Sequence, residues 1–118
     1  MIRALLVLAV LAGCSKADRE PPAPAERPPS IPAPEVQRGL DACQAYVEKV
    51  CACAQTVPSL AETCTLAKSM PEAIEIGKRV ASYPSSTSQD AAQAASSIRK
   101  TVKLCIEQTA QLPARGCT

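Results

Sequence analysis

Six of the seven cysteines in this 118-residue chain lie between positions 43 and 117. In an exported domain, an even set of cysteines is typical of disulfides. In the cytosol the same set would be more typical of a metal site. The compartment in which the chain folds therefore decides what its cysteines do, and the amino terminus carries the signal for that compartment.

The amino terminus has the pattern of a secretory signal peptide. Arg3 supplies a positive charge, and an unbroken apolar run follows over residues 4–12. A membrane-spanning helix needs about 20 apolar residues. This run is much shorter and is soon followed by the charged residues Lys16 and Asp18. We therefore predict a transient export signal over residues 1–13.

The end of that run, Leu11-Ala12-Gly13-Cys14, resembles the lipobox of bacterial lipoproteins. In that family a diacylglycerol is attached to the cysteine sulfur, the signal is cut before the cysteine, and the new amino group is usually acylated, for example with palmitate. The resemblance implies that Cys14 becomes the first residue of the mature protein. Two or more acyl chains hold a protein stably in a membrane. In Gram-negative members of that family, an Asp directly after the cysteine tends to retain the protein at the inner membrane. Here that residue is Ser15, so the resemblance implies the periplasmic side of the outer membrane.

A proline-rich stretch follows the anchor. Seven of the 11 prolines fall between Pro21 and Pro34. Because proline fixes φ and removes an amide donor, we predict that residues 14–34 form an extended or disordered tether without a core. An alternative is that this stretch is a ligand for an aromatic-lined groove on another protein.

Residues 35–118 carry the periodicity of an all-α domain. Apolar residues recur every three or four positions over residues 35–55 and again over 87–111, which predicts two amphipathic helices. The first stripe comprises Val36, Leu40, Cys43, Val47, Val50 and Ala54. The second comprises Ala91, Ala95, Ile98, Val102, Cys105, Thr109 and Leu112.

Three capping-box patterns predict where the remaining helices begin, because a hydroxyl followed three residues later by a carboxylate can satisfy the free amides of a first turn. The second of these helices should end near Tyr83. We therefore predict a small disulfide-stapled bundle of three to four helices. The three patterns are Ser59 with Glu62, Ser69 with Glu72, and Thr87 with Asp90.

Six cysteines allow 15 pairings, and helix geometry narrows them. Cys53 precedes the turn at Pro58 and Cys64 lies one turn into the next helix, which predicts a local bridge. If the first and last helices are antiparallel, the other four cysteines also find partners. The predicted disulfides are then Cys53–Cys64, Cys51–Cys105 and Cys43–Cys117.

The domain should depend on these cross-links. Its only aromatic residues are Tyr46 and Tyr83, and alanine supplies much of the apolar count. Few side chains therefore bury the roughly 1.5 to 3 kcal/mol that a large residue contributes. Disulfides add about 2 to 4 kcal/mol each. We expect reduction to unfold the domain.

Composition excludes several functions. The chain has no histidine, which removes His-dependent nucleophilic catalysis, His-ligated metal sites and c-type haem attachment. A net charge of +2 provides no strong electrostatic surface for nucleic acid. No pair of carboxylates is spaced for acid–base chemistry. We expect a protein that is not an enzyme and that uses no cofactor, no metal and no nucleic acid.

One candidate binding feature is a basic edge on the last helix, formed by Arg99, Lys100 and Lys103. Lys78 and Arg79 are expected nearby. Such an edge can attract anionic lipid, peptidoglycan carboxylates or an acidic protein. The alternative is a solvated helix face.

The sequence therefore favours a lipid-anchored periplasmic interaction module whose partner is an envelope protein or peptidoglycan. A second hypothesis is a thiol redox or copper-handling protein that uses Cys51 and Cys53, since two thiolates can bind Cu(I). A third is a structural envelope lipoprotein without a specific ligand.

Overall fold

The computed structural model of this chain describes residues 31–118. The predicted export signal, the predicted lipidation at Cys14 and residues 14–30 of the predicted tether lie outside the described residues.

Four α-helices and two 3-10 turns account for most of the described part, which contains no strand. This confirms the prediction of an all-α, disulfide-stapled bundle. Within residues 31–118, no helix combines the length and the apolar character needed to cross a membrane. The helices are α1 (Ala33–Ala54), α2 (Ala61–Ala67), α3 (Ser69–Ser82) and α4 (Ser88–Gln111), and the 3-10 turns are Pro58–Leu60 and Pro113–Arg115.

Helices α2 and α3 form a single arm with one irregular residue between them. That residue, Lys68, keeps a helical backbone conformation, with φ −60° and ψ −24°. Pro71 has no amide hydrogen and cannot donate to the carbonyl of Ala67, so regular helical hydrogen bonding is interrupted at this point. Helix α3 therefore continues in the direction of α2, and the two helices together make one pass along the bundle instead of two.

The first and last helices run parallel to each other. The first turn of α1 meets the middle of α4 where Arg99 bonds to Glu35. Further along, Cys43 is bonded to Cys105, and near the ends Cys53 is bonded to Cys117. Residue numbers thus increase together along both helices.

The middle arm runs antiparallel to α4. At one end Arg115 donates to the Thr63 hydroxyl at 3.2 Å. Further along, the Met70 Sδ lies 3.9 Å from the Cys105 Sγ. At the other end Gly77 packs against Ile98, so closely that a Cβ at position 77 would lie 2.8 Å from the Ile98 Cγ1. The bundle therefore has three arms in an up-down-up order.

All three predicted disulfide pairings are wrong. The prediction assumed antiparallel first and last helices, as two separate passes between them would produce. Because α2 and α3 make only one pass, α1 and α4 are parallel and the cysteines meet in the opposite order. The structure joins Cys43 to Cys105, Cys51 to Cys64, and Cys53 to Cys117.

The core lies between the three arms. No residue of either predicted apolar stripe is exposed. The middle arm contributes Ile74, which is fully buried. Tyr46 is buried as well, whereas Tyr83 is 62% exposed and adds nothing to the core.

The folded domain begins earlier than predicted. Ile31 is buried, and the carbonyl of Pro32 accepts the amides of Glu35 and Val36. Pro34 lies in the first turn of α1, where its missing amide hydrogen costs nothing because first-turn amides have no intrahelical partner. Residues 31–34 therefore belong to the bundle and not to the tether.

Only one of the three predicted capping boxes forms. Thr87 accepts the amide of Asp90, and the Asp90 carboxylate accepts the amide of Thr87. Ser59 lies inside the 3-10 turn, where it caps no helix. Ser69 instead donates its hydroxyl to the Leu66 carbonyl at 2.7 Å, because the preceding helix ends within reach.

Candidate interaction surfaces

A groove of about 360 Å³ runs between α1 and α4, here named the α1–α4 groove. Ile98 and Val102 face the core from its floor, while Ile106 is 57% exposed. Ile31 closes the groove where the chain enters the domain. The floor is therefore apolar, and one large side chain on it remains in contact with water.

Two ion pairs form the rim of the α1–α4 groove. Arg99 Nε donates to Glu35 Oε1 at 2.7 Å, and Arg99 Nη2 donates to Glu35 Oε2 at 3.2 Å. This two-point contact lowers the pKa of Glu35 and raises that of Arg99. Lys103 Nζ lies 3.6 Å from Glu107 Oε1.

The predicted basic edge is largely neutralised by these contacts. Arg99 and Lys103 each face a carboxylate, and Lys100 is the only one of the edge's three cations without an ion-pair partner among residues 31–118. Of the two cations expected nearby, Lys78 lies 3.9 Å from a Glu75 oxygen. The edge therefore presents alternating charges and offers a polyanion little net attraction.

A second apolar surface lies on the outside of the middle arm. Its residues follow intervals of three and four along the arm, and all six are exposed. The opposite face of the same arm carries Met70, Ile74 and Ala81 towards the core. A shallow groove of about 420 Å³ lies beside this surface, against α4. We name this surface the outer seam, and it comprises Leu66, Ser69, Ala73, Ile76, Val80 and Tyr83.

The cysteines considered for redox or copper chemistry do not share a bond. Cys51 pairs with Cys64 and Cys53 pairs with Cys117, with S–S distances of 1.98 and 2.04 Å. Each sulfur is therefore held by a different element, and joint thiolate chemistry would require both bonds to be reduced. In the part of the chain that the structure describes, no three acidic or cysteine side chains are grouped to hold a metal ion.

The sequence analysis did not identify either apolar surface. Its candidate residues were cations, and the structure brings two of them to the rim of a groove. The sequence analysis had assigned Ile98 and Val102 of the groove floor to the core and had not considered Ile106. A detectable signal was present in the middle arm, because two apolar series at helical spacing run along it, offset by about half a turn. One helix cannot bury both faces against the same neighbours.

Comparison with protein families, curated proteins and solved structures finds no match to this chain. The structural class of the domain therefore follows from the described residues themselves. They form a small three-armed helical bundle, cross-linked by three disulfides, with the α1–α4 groove and the outer seam open to solvent.

Proposed function

We propose that this chain is a lipid-anchored, non-enzymatic protein of the Gram-negative periplasm that presents the α1–α4 groove to another envelope protein. Cys14 carries the lipid, residues 14–30 separate the domain from the membrane, and the bundle is the binding module. We propose the outer membrane as its location because Ser15 follows the lipidated cysteine.

Two independent features support the location. The lipobox pattern Leu11-Ala12-Gly13-Cys14 supports export and lipidation. The bundle also brings all six remaining cysteines within bonding distance in three pairs. Disulfides persist in the periplasm and are rare in the cytosol.

The observation that carries the binding role is the exposure of Ile106 in an apolar, concave surface with a polar rim. Apolar surface of this kind is characteristic of interaction sites. The rim carboxylates and cations already satisfy one another, so the binding energy must come from the floor. A protein segment with apolar side chains fits that floor better than a glycan strand, whose hydroxyls would find no partners on it.

The position of the groove suits a tethered receptor. Ile31 lines it and is the first described residue after the tether. A bound partner is therefore held where the tether joins the domain. The distance between partner and membrane is then set by the tether, and the bundle adds little to it.

The binding role is tested by crosslinking in intact cells that produce the full chain. We expect a discrete adduct with one envelope protein, lost in Ile106→Asp and retained in Leu104→Asp. Leu104 is the matched control because it is an exposed apolar residue on the same helix but outside the groove. The binding role is wrong if no discrete adduct forms, as for an inert structural lipoprotein, or if the adduct contains only peptidoglycan.

The anchor is tested separately with Cys14→Ser. We expect this variant to leave the membrane fraction, since no lipid can be attached to its hydroxyl by the same reaction. Retention in the membrane would contradict lipidation at Cys14. Counting free thiols in protein from the periplasm tests the redox alternative. Zero free thiols eliminates it, and two reactive thiols at Cys51 and Cys53 would favour it over the binding role.

A further inference from the structure

We propose that the outer seam binds the outer seam of a second copy of this chain, so that the protein forms a two-fold symmetric dimer with antiparallel middle arms. This surface is separate from the α1–α4 groove, and the proposal does not rest on the binding role assigned to that groove.

The spacing of the seam is that of a helix that packs against another helix. Its six residues are separated by three, four, three, four and three positions, which keeps them on one face over nearly five turns. Ile76 is 45% exposed, Val80 41% and Leu66 64%. Side chains of this size repeat at such intervals in helix–helix contacts, where they insert between residues of the facing helix.

The opposite apolar face of the middle arm is already buried in the core of the bundle. Met70, Ile74 and Ala81 pack towards the core and are buried or half-buried. A helix with one buried face is expected to be polar on the opposite side. The exposed apolar side chains of the seam depart from that pattern, and a second helix packed along the seam would bury them.

Charges beside the seam favour a second copy as the occupant. Glu72 and Arg79 are seven residues apart, so they lie on the same flank of the arm. They are placed symmetrically about residues 75 and 76. If two arms cross antiparallel at that point, their equivalent flanks lie together and each Glu72 faces Arg79 of the other copy, whereas in a parallel pairing these flanks lie on opposite sides of the seam and the two residues do not meet. Neither charged group has an ion-pair partner within residues 31–118.

The same register also matches side-chain size. With the two-fold axis near residue 76, Ile76 lies beside its own copy, Ser69 lies opposite Tyr83, and Ala73 lies within one residue of the position opposite Val80. Small residues thus lie opposite large ones, which lets the two surfaces interdigitate. Because each contact outside the centre occurs twice, the interface is self-complementary, as two-fold symmetry requires.

The first test places a photocrosslinking amino acid at Ile76 of the full chain in cells. We expect an adduct of twice the chain's mass, in which mass spectrometry finds an α3 peptide joined to another α3 peptide. The same crosslinker at Ile106, which lies in the α1–α4 groove and outside the seam, should give no adduct of twice the chain's mass. An absent adduct at position 76, or one that contains a different protein, overturns the proposal.

The second test swaps the charges and keeps the protein folded. Glu72→Arg alone and Arg79→Glu alone each place like charges opposite each other in the dimer, and we expect a severalfold loss of the α3–α3 adduct. The double variant E72R/R79E restores the opposite-charge contacts and should recover the yield. A double variant no better than either single one contradicts the antiparallel register, provided that circular dichroism shows the helices intact in all three.

Discussion

Gly39 of α1 lies against Val102 of α4, so closely that a methyl group at position 39 would overlap the Val102 Cγ2. Glycine at this point lets the two parallel helices approach each other within the bundle. Elsewhere in a helix it would be a cost, since glycine is about 1 kcal/mol less favourable than alanine.

We expect Gly39→Ala to lower the free energy of unfolding. Overpacking of a core costs typically about 1 to 3 kcal/mol, which outweighs the gain in helix propensity of about 1 kcal/mol. In a Val102→Ala background the overlap is gone, and the same change should become stabilising. Urea unfolding of the native chain, the two single variants and the double variant measures both effects. If Gly39→Ala changes the free energy of unfolding in the same direction in the native chain and in the Val102→Ala background, contact with Val102 does not determine the effect of a side chain at position 39.

We expect the three disulfides to be reduced in a fixed order under native conditions. Cys43 and Cys105 are both 0% exposed, whereas the cysteines of the other two bridges are only partly buried. Exchange requires a thiolate to reach a sulfur atom, so Cys43–Cys105 should be the last to open. Timed alkylation during dithiothreitol treatment, followed by peptide mapping, gives the order. Early loss of Cys43–Cys105 would mean that the core opens before the surface bridges do.

We expect the Glu35–Arg99 ion pair to stabilise the bundle at neutral pH and to lose that effect in acid. The pKa of Glu35 is held below its ordinary value of 4.5 by the hydrogen bonds from Arg99. The stabilisation is therefore present above that ordinary pKa and disappears as the pH falls through the lowered pKa of the folded state. The unfolding free energies of Glu35→Gln and the native chain should differ at about pH 6 and converge at about pH 2.

A matched control for this pH effect is Glu48→Gln. Glu48 is an exposed carboxylate on the same helix, and it has no ion-pair partner in the described part of the chain. Its substitution removes no ion pair of the described residues and should change the stability by less than about 0.5 kcal/mol at about pH 6. A difference for Glu35→Gln that persists in strong acid would show that its effect is not due to the ion pair.

We expect Thr87→Ala to destabilise the protein by about 1 kcal/mol, because it removes the hydroxyl that accepts the Asp90 amide at the start of α4. Ser59→Ala is the comparison, since Ser59 occupies the same sequence pattern but caps no helix. It should change the stability by less than about 0.5 kcal/mol. Thermal or urea unfolding distinguishes the two, and equal losses would show that the capping interaction contributes nothing specific.

The periodicity of α1 and α4 was enough to predict their burial. Val36, Leu40 and Val50 face the core as their spacing requires, and so do Ala91, Ala95 and Ile98. The start of α4 was also predictable, because the Thr87–Asp90 box depends only on residues three apart. These features are local, and local geometry is what a sequence pattern encodes most directly.

The disulfide pairing was not predictable in this way because it depends on the direction of helices far apart in the chain. That direction hinged on Lys68, whose helical backbone turns two predicted helices into one arm. The early start of the domain was missed because Pro32 and Pro34 resemble the tether in composition, although Ile31 between them and the tether is buried. The groove at Ile106 depends on which faces the neighbouring helices cover, and the pattern of α4 alone does not reveal that. The two apolar series of the middle arm indicated that one of its faces would stay exposed, but not that this would be the face carrying Ile76.

The two bridges between the parallel helices also decide how the domain would bear a mechanical load. Residue 31 precedes α1 and Cys117 is bonded near the end of that helix, so tension applied between them acts along α1 and, beyond the Cys43–Cys105 bond, also along the carboxyl-terminal part of α4. That tension passes through covalent sulfur bonds at Cys43–Cys105 and Cys53–Cys117. The middle arm is not part of this path. In a domain under tension, α1 and the end of α4 would bear the force, and the outer seam would keep its conformation.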